Sequence, residues 1–426
     1  MVDWKEKHNF VCLAAAFMSS PPVAPTHLIR SHSSDVTALF FSADNERLYS
    51  GDASGRVVVT STRSLRPIVS WLAHTDSILG VEEWGTRIIT HSRDHKLHVW
   101  TRVEDLPASA RVGGSAALSE LPTPMLCYSL DVNALNYCRF SLLPSASSPD
   151  EALIALPNLV ESSEADVWAL PSKQRIHASV GTERTQPMFS LGGREGMRTG
   201  LIMSLHLFRA SPPPESPSSQ AAELRLVCAY EDGSVALRRF VGSAGHPETS
   251  VEGRGWEVIW KCKLHVEAIM AMRVSRDNRL ALTVSADHLV GRYDLVAEAK
   301  NADGEADASP GSVYRTSHPG NGCIAIRDDG RVCAIGGWDG RFSTTLLHQE
   351  PETTWDAAVS QKWVPGRRVC AVGGCGYDDA RGCRRRRRRR REEMTTEELE
   401  ARGRWLVVGA KDHRVSFWTL ISFEKP

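Results

Sequence analysis

A histidine that can reach an aspartate is the usual equipment of general acid–base chemistry, because the carboxylate fixes the imidazole tautomer and stabilises the imidazolium. This chain presents the pair repeatedly: His74 lies 20 residues before Asp94, His265 lies 22 before Asp287, and His318 lies 21 before Asp339, with His32 22 before Ser54. A catalytic pair is needed once. A pair that recurs at a nearly constant interval belongs instead to a repeated structural unit. The other chemical candidates are weaker. Glu82 and Glu83, and Asp328 and Asp329, are adjacent carboxylates expected in solvated turns, while Cys370, Cys375 and Cys383 lack the CxxC spacing of a zinc site. There is no GxxxxGK[ST] phosphate loop, HExxH helix, GxSxG elbow or GxGxxG turn, and GGCGYDDARG has glycines without the spacing or the following apolar helix of a phosphate cradle. No catalytic residue, cofactor site or metal site is expected, and the chain does not read as an enzyme.

The elements that must carry these residues follow from two periodicities. Asp94 precedes Trp100 by six residues and Asp412 precedes Trp418 by six. The interval recurs from Asp287 to Tyr293, Asp339 to Thr345 and Asp232 to Arg238, and in degenerate form from Ser54 to Thr60 and Ser162 to Trp168, making seven units. Between a histidine and its aspartate the sequence alternates, as in DVTALFFSADNERLYSG and EAIMAMRVSRDNRLALTVS. Period-2 alternation of this length means two short strands joined by a polar turn. The aspartate or serine then opens a tight turn into a third strand, KLHVW or RVSFW.

These residues resemble the WD-repeat family, and the resemblance implies an all-β, seven-bladed β-propeller of four-stranded blades. It also implies that the histidine, aspartate and tryptophan form a buried hydrogen-bonded set. His74, Asp94 and Trp100 match best, and His265, Asp287, His318, Asp339, Asp412 and Trp418 are expected to be structural blade residues of the same kind. After Trp418 only eight residues remain, too few to finish the last blade. PTHLIRSH, residues 25–32, precedes the first histidine without a blade of its own, so it is expected to pair beside the last strand and close the ring.

Seven blades of about 43 residues need roughly 300 residues, and the chain has 426. The surplus reads as insertions rich in Pro, Gly, Ser or charge at about 105–124, 210–222, 241–255, 297–312 and 376–403, with a smaller one at 144–150, all expected to be disordered. Residues 21–426 then form a single propeller and residues 1–20 a peripheral extension. The apolar run FVCLAAAFM is too short to span a membrane, and Asp3 and Glu6 make it a poor secretory signal.

The last insertion carries eight consecutive arginines, Arg384, Arg385, Arg386, Arg387, Arg388, Arg389, Arg390 and Arg391. Its charge is offset locally by Glu392, Glu393, Glu397, Glu398 and Glu400, and globally by a balance of 51 basic against 51 acidic residues. No aromatic residue interleaves with the run to stack on bases. Direct nucleic-acid binding is therefore not expected; a solvated insertion is the favoured reading and a nuclear-import run the second. Trp71, Trp84, Trp338 and Trp355 fall outside the strand-ending tryptophan position, which makes them candidates for interface anchors, against the plainer reading of packing between blades.

Beyond the generic repeat, PPVAPTHLIRSHSSDVTALFFS, THSRDHKLHVW, LPNLVESSEADVWALPS, LRLVCAYEDGSVALRRF and WLVVGAKDHRVSFW are similar to the fungal ASTRA-associated protein 1 family, itself related to G-protein-β-like proteins. LPNLVESSEADVWALP is the most specific, because it lacks the usual turn aspartate. That resemblance implies a non-catalytic scaffold of the nuclear ASTRA complex, acting in chromatin-linked processes. Its partners would be the TTT co-chaperone, the RuvB-like ATPases and a phosphatidylinositol-3-kinase-related kinase-like subunit, whose kinase family it would help mature. Localisation would be nuclear, with a cytoplasmic pool compatible. A ubiquitin-ligase substrate receptor is the alternative. A G-protein β-like signalling subunit fits less well, since residues 1–20 contain no heptads for a γ partner.

Overall fold

The computed structural model of the chain describes residues 24–104, 121–182, 199–210, 222–242, 249–297, 310–316, 319–340, 342–347, 359–361, 370–373, 402 and 404–419. Alternating apolar side chains make its strands, each putting one set of residues on each face. After β1 (His27–Ile29), blade 1 holds β2 (Val36–Phe41), β3 (Arg47–Asp52), β4 (Arg56–Ser61) and β5 (Arg66–Leu72), and blade 2 holds β6 (Ile78–Trp84), β7 (Arg87–Ser92), β8 (Lys96–Thr101) and β9 (Met125–Asp131). Blade 3 is β10 (Ser141–Pro144), β11 (Ala152–Pro157), β12 (Ala165–Leu170) and β13 (Gln174–Val180); blade 4 is β14 (Ile202–Ala210), β15 (Glu223–Tyr230), β16 (Ser234–Phe240) and β17 (Trp256–Lys263). Blade 5 is β18 (Ile269–Val274), β19 (Leu280–Ser285), β20 (Leu289–Asp294) and β21 (Gly311–Arg315); blade 6 is β22 (Asn321–Ile326), β23 (Val332–Gly337), β24 (Phe342–Leu346) and β25 (Val359–Gln361). Blade 7 takes β26 (Cys370–Gly373), β27 (Trp405–Gly409) and β28 (Val415–Thr419) from the end of the sequence.

Each sheet is antiparallel with its strands in sequence order, except the last, whose order is β1-β28-β27-β26. The N-terminal strand therefore supplies the fourth strand of the C-terminal blade and closes a ring of seven blades. His27 pairs with Phe417, Leu28 with Ser416 and Ile29 with Val415. The core lies between blades. Tyr49, Val57 and Trp71 of blade 1 pack on Ile78, Val81, Ile88 and Trp100 of blade 2, and Ile29, Val407, Val415 and Phe417 pack on Val36, Leu39 and Leu48 across the closure seam. Arg402 adds a polar tie at that seam by donating to Thr62 Oγ1 at 3.0 Å.

In a meander of strands a to d, the a–b and c–d connections leave one end of the ring, and the b–c and blade-to-blade connections leave the other. All five long insertions fall on the first end: 105–124 joins β8 to β9, 210–222 joins β14 to β15, 241–255 joins β16 to β17, 297–312 joins β20 to β21, and 376–403 joins β26 to β27. Residues 105–120, 211–221, 243–248, 298–309, 374–401 and 403, and with them the arginines 384–391, lie outside the described residues. Four of the insertion boundaries are corrected. Ala210 belongs to β14, Gly311 and Ser312 belong to β21, and residues 144–150 close as a turn with Ser145 N donating to Glu151 O at 2.9 Å. The end of 241–255 is strapped to the outer edge of β13: Ser250 N donates to Ile176 O at 2.9 Å, Ala178 N to Ser250 O at 3.0 Å and Gly253 N to Ala178 O at 2.8 Å. A free strand edge supplies the backbone partners that polar composition alone does not reveal.

Candidate interaction surface and the hydrogen-bonded sets beneath it

His74 lies in the connection from β5 to β6, and Asp94 sits in the turn after β7. His74 Nδ1 lies 2.9 Å from Asp94 Oδ2, and its Nε2 lies 2.8 Å from Thr90 Oγ1. A carboxylate can only accept, so Nδ1 carries the proton, Nε2 accepts from the threonine hydroxyl, and Trp100 Nε1–H donates to the same Thr90 oxygen at 2.9 Å. Burial pushes the His74 imidazole down to about 4 even though Asp94 pulls the other way. Burial also opposes the charge on Asp94, but the Thr75 N–H and His74 outweigh it and hold the carboxyl below its usual range. The set is thus a neutral histidine, an ionised aspartate, a threonine and a tryptophan, tying two strands, the turn between them and the preceding connection together.

Blade 5 repeats the arrangement: His265 Nδ1 is 3.0 Å from Asp287 Oδ2 and Nε2 is 2.8 Å from Thr283 Oγ1, with Tyr293 buried where blade 2 has its tryptophan. Blade 1 departs from the sequence reading. Its carboxylate comes from Asp52, not from the position of Ser54: His32 Nδ1 is 2.8 Å from Asp52 Oδ2 and Nε2 is 2.7 Å from Ser50 Oγ, while Ser54 only donates into Asp52 Oδ1 at 2.6 Å. The six-residue interval itself keeps its register, because Thr60 pairs with Leu48 as Trp100 pairs with Ile88, which makes Ser54 the counterpart of Asp94; in this blade the carboxylate stands two residues earlier, at Asp52. The turn itself is dictated by Gly55, whose φ of +85° suits glycine and whose added Cβ would stand 2.1 Å from the His74 carbonyl oxygen.

The histidine is replaced in blade 3. Asn133 Nδ2 donates to Asn158 O at 2.5 Å and to Ser162 Oγ at 3.0 Å, and the buried carboxylate is Asp166, which accepts from Asn158 Nδ2 at 3.0 Å and Ser179 N at 2.8 Å. In blade 4, Asp232 caps its turn by accepting from Ser234 N at 2.9 Å. In blade 7, Asp412 accepts from Arg414 N at 3.2 Å, and Trp418 Nε1 donates to Ser416 Oγ at 3.0 Å. Asp339 lies in the exposed turn after β23, whereas His318 and Trp355 lie outside the described residues. The sequence reading missed Asp52, Asn133, Asp166 and the hydroxyl leg. A serine or threonine four residues before the aspartate, as at Thr90 and Thr283, was the available signal.

Chemically, His, Asp and Thr in one chain of hydrogen bonds have the parts of a nucleophilic triad, yet Thr90 is wholly buried and its oxygen is engaged on two sides. Ligand atoms of His74, Asp94 and His98 also lie within 4.8 Å of one another. However, the two imidazoles are stacked, with centroids 4.3 Å apart at 10°, so their in-plane lone pairs run parallel and do not converge on one ion. This geometry does structural work. Asp94→Ala is expected to cost about 2–4 kcal/mol by stranding the buried His74 N–H, and Trp100→Ala about 3–5 kcal/mol by opening a cavity; urea midpoints check both. Wild-type midpoints together with loss of binding partners would contradict the structural role.

Glu82 and Glu83 are not in a turn but within β6, so they face opposite sides of the sheet. Glu82 accepts from Arg139 at 2.5 Å, and Glu83 accepts from Arg47 and Arg102, both at 3.0 Å, and from the Tyr49 hydroxyl. Charge is stable at these part-buried positions because each carboxylate is paired. Asp328 and Asp329 do occupy the β22–β23 turn.

Of the candidate tryptophans, Trp71 and Trp84 are core residues, each 3% exposed, and are no longer surface anchors. Trp338 is 42% exposed at the b–c end of blade 6. It lies on a bed of glycine, since a Cβ on Gly320 or Gly322 would come within 2.9 or 2.8 Å of its ring, and Trp338 N donates to Gly320 O at 2.8 Å. An exposed indole held in one orientation is suited to contact. Trp338→Ala is expected to leave the melting temperature within about 2 °C while weakening partner binding at least about tenfold.

Fold and buried sets together define a WD-repeat β-propeller, and residues 24–61 match the family model described as WD domain, G-beta repeat. The chain is 31% identical to ASTRA-associated protein 1 of Aspergillus niger over 75% of each chain. It is 29% identical to that of Verticillium alfalfae over 93% of this chain and 92% of the other, and 28% identical to that of Pyricularia oryzae over 96% and 99%. It belongs to the ASTRA-associated protein 1 family.

Proposed function

We propose that the chain is a non-catalytic scaffold subunit of the nuclear ASTRA complex, acting with the TTT co-chaperone and the RuvB-like ATPases in chromatin-linked processes and in maturation of phosphatidylinositol-3-kinase-related kinases. One observation carries the non-catalytic part: the imidazoles of the repeated histidine–aspartate pairs are sealed inside blades, His74 and His265 being 3% and 1% exposed. What faces solvent at the b–c end includes apolar side chains and a presented indole, which suit protein partners. Support for the assembly comes from the family name, and the nuclear address and the individual partners are part of this reading. Neither membrane nor nucleic acid is assigned as a partner. Among the described residues no helix is long and apolar enough to cross a membrane.

Affinity purification of the tagged protein from its own cells, with and without residues 383–402, tests this. Recovery of the TTT proteins and RuvB-like ATPases by both forms is expected. Their absence from both, with a ubiquitin ligase in their place, would assign the chain to a different assembly.

A further inference from the structure

The b–c and blade-to-blade end of the ring is not uniform. On blades 3 to 5 it exposes Leu135 (77%), Tyr137, Leu159, Val160 (88%), Leu201 and Val266 (79%). The same end of blades 7 and 1 offers Ser33, Ser34, Asp35, Thr75, Asp76 and Lys411, apart from Leu72 at the tip of β5. Isolated exposed apolar residues are ordinary, but these stand on one continuous hydrogen-bonded platform. Asn136 Nδ2 donates to Ser162 O at 3.2 Å and to Ile202 O at 3.0 Å, and Ile202 N donates to Ser162 O at 2.9 Å. Glu231 N donates to Leu201 O at 2.9 Å, and His265 N to Gly233 O at 3.4 Å, which carries the platform on to the Val266 connection. A rigid base presents apolar side chains at little ordering cost to binding.

Charge selects the occupant. Glu161, Glu231 and Glu267 are exposed beside Val160, Leu201 and Val266, and none has an arginine or lysine partner among the described residues. Glu161 accepts only from Ser163, and Glu231 from the Leu201 N–H at 3.3 Å. At the blade 2 side, Arg93 lies over the Tyr137 ring at 4.2 Å and bounds the patch. Three uncompensated carboxylates set among apolar side chains complement a ligand that is both apolar and cationic.

We propose that this end of blades 3 to 5 docks a segment of another protein whose apolar side chains are flanked by lysine or arginine. The inference rests on the scaffold reading but does not depend on which assembly the chain joins. Its test is photo-crosslinking of the full chain in its own cells, with p-benzoylphenylalanine at Val160 and, as control on the polar arc, at Thr75, followed by sequencing of the crosslinked peptides. The expected adduct at Val160 is a segment of a different protein with more Lys and Arg than Asp and Glu, absent at Thr75. Its yield falls at least fivefold in the Glu161→Lys, Glu231→Lys double variant, whose melting temperature is unchanged. An adduct within the same chain, to a second copy, to an acidic segment or to nucleic acid overturns the proposal, as does no adduct or one indifferent to the two lysines. The identity of the captured protein tests the ASTRA assignment separately: a basic segment from an unrelated assembly would sink that assignment and leave the docking surface standing.

Discussion

Lowering the pH from 7 to 5 is expected to reduce the stability of the folded chain by about 6 kcal/mol and its melting temperature by about 10 °C. Three buried histidines carry the effect. Burial pushes His74 and His177 down to about 4 and His91 to about 3, with Asp94 resisting the shift at His74 and His74 and Arg139 adding to it at His91. In the unfolded chain each titrates near its ordinary value of about 6.5. Between those values the unfolded state binds a proton that the folded state refuses, so the stabilisation is complete above about 6.5 and is lost as the pH falls, by about 2 kcal/mol per histidine at pH 5. His91 gives the control. Neither of its ring nitrogens has a hydrogen-bond partner, so His91→Leu should be neutral or stabilising by about 1 kcal/mol at pH 7 and should remove about a third of the slope. A flat melting temperature between pH 7 and 5 would contradict neutral, sealed histidines.

Deleting residues 1–30 should have an effect of similar size, because it removes β1 and leaves β28 as an open edge. Ile29 is 7% exposed in the seam core, and its loss alone resembles a core truncation costing about 2–5 kcal/mol. Three residue pairs and the Thr26 N donation to Phe417 O at 2.8 Å go with it. The truncated chain should melt at least about 8 °C lower or aggregate through the exposed edge, and a peptide of residues 24–32 added in excess should recover part of the loss. Melting within about 2 °C of the full chain would mean that the ring closes without β1.

The ring was legible because its signals repeat: alternation marks strands wherever one face is buried, and a histidine paired with a distant aspartate fixes the register of a blade. Closure was legible from simple supply, since PTHLIRSH had no blade and the last blade had no fourth strand. What escaped were residues whose role depends on three-dimensional neighbours. Asp52 and Ser54 are both plausible turn residues in sequence, and only the position of His32 selects the former. Asn133 does the work of a histidine without sharing its residue type. Glu83 looked solvated because Arg47, Tyr49 and Arg102, its partners, come from other strands and a connection. Trp71 and Trp338 are indistinguishable as letters; burial against Trp100 in one case and a glycine bed in the other separates core from surface. The docking arc has no motif at all, because it is assembled from three blades.

The most direct measurement is size-exclusion chromatography with light scattering on the purified chain mixed with the purified TTT co-chaperone. A stoichiometric complex that survives mutation of the sealed His74–Asp94 pair to Gln–Asn at low temperature, and weakens at least about tenfold with Trp338→Ala or with Glu161→Lys, Glu231→Lys, is the predicted result. Separate elution of two folded proteins at tens of micromolar would contradict a scaffold that works by direct contact with that co-chaperone.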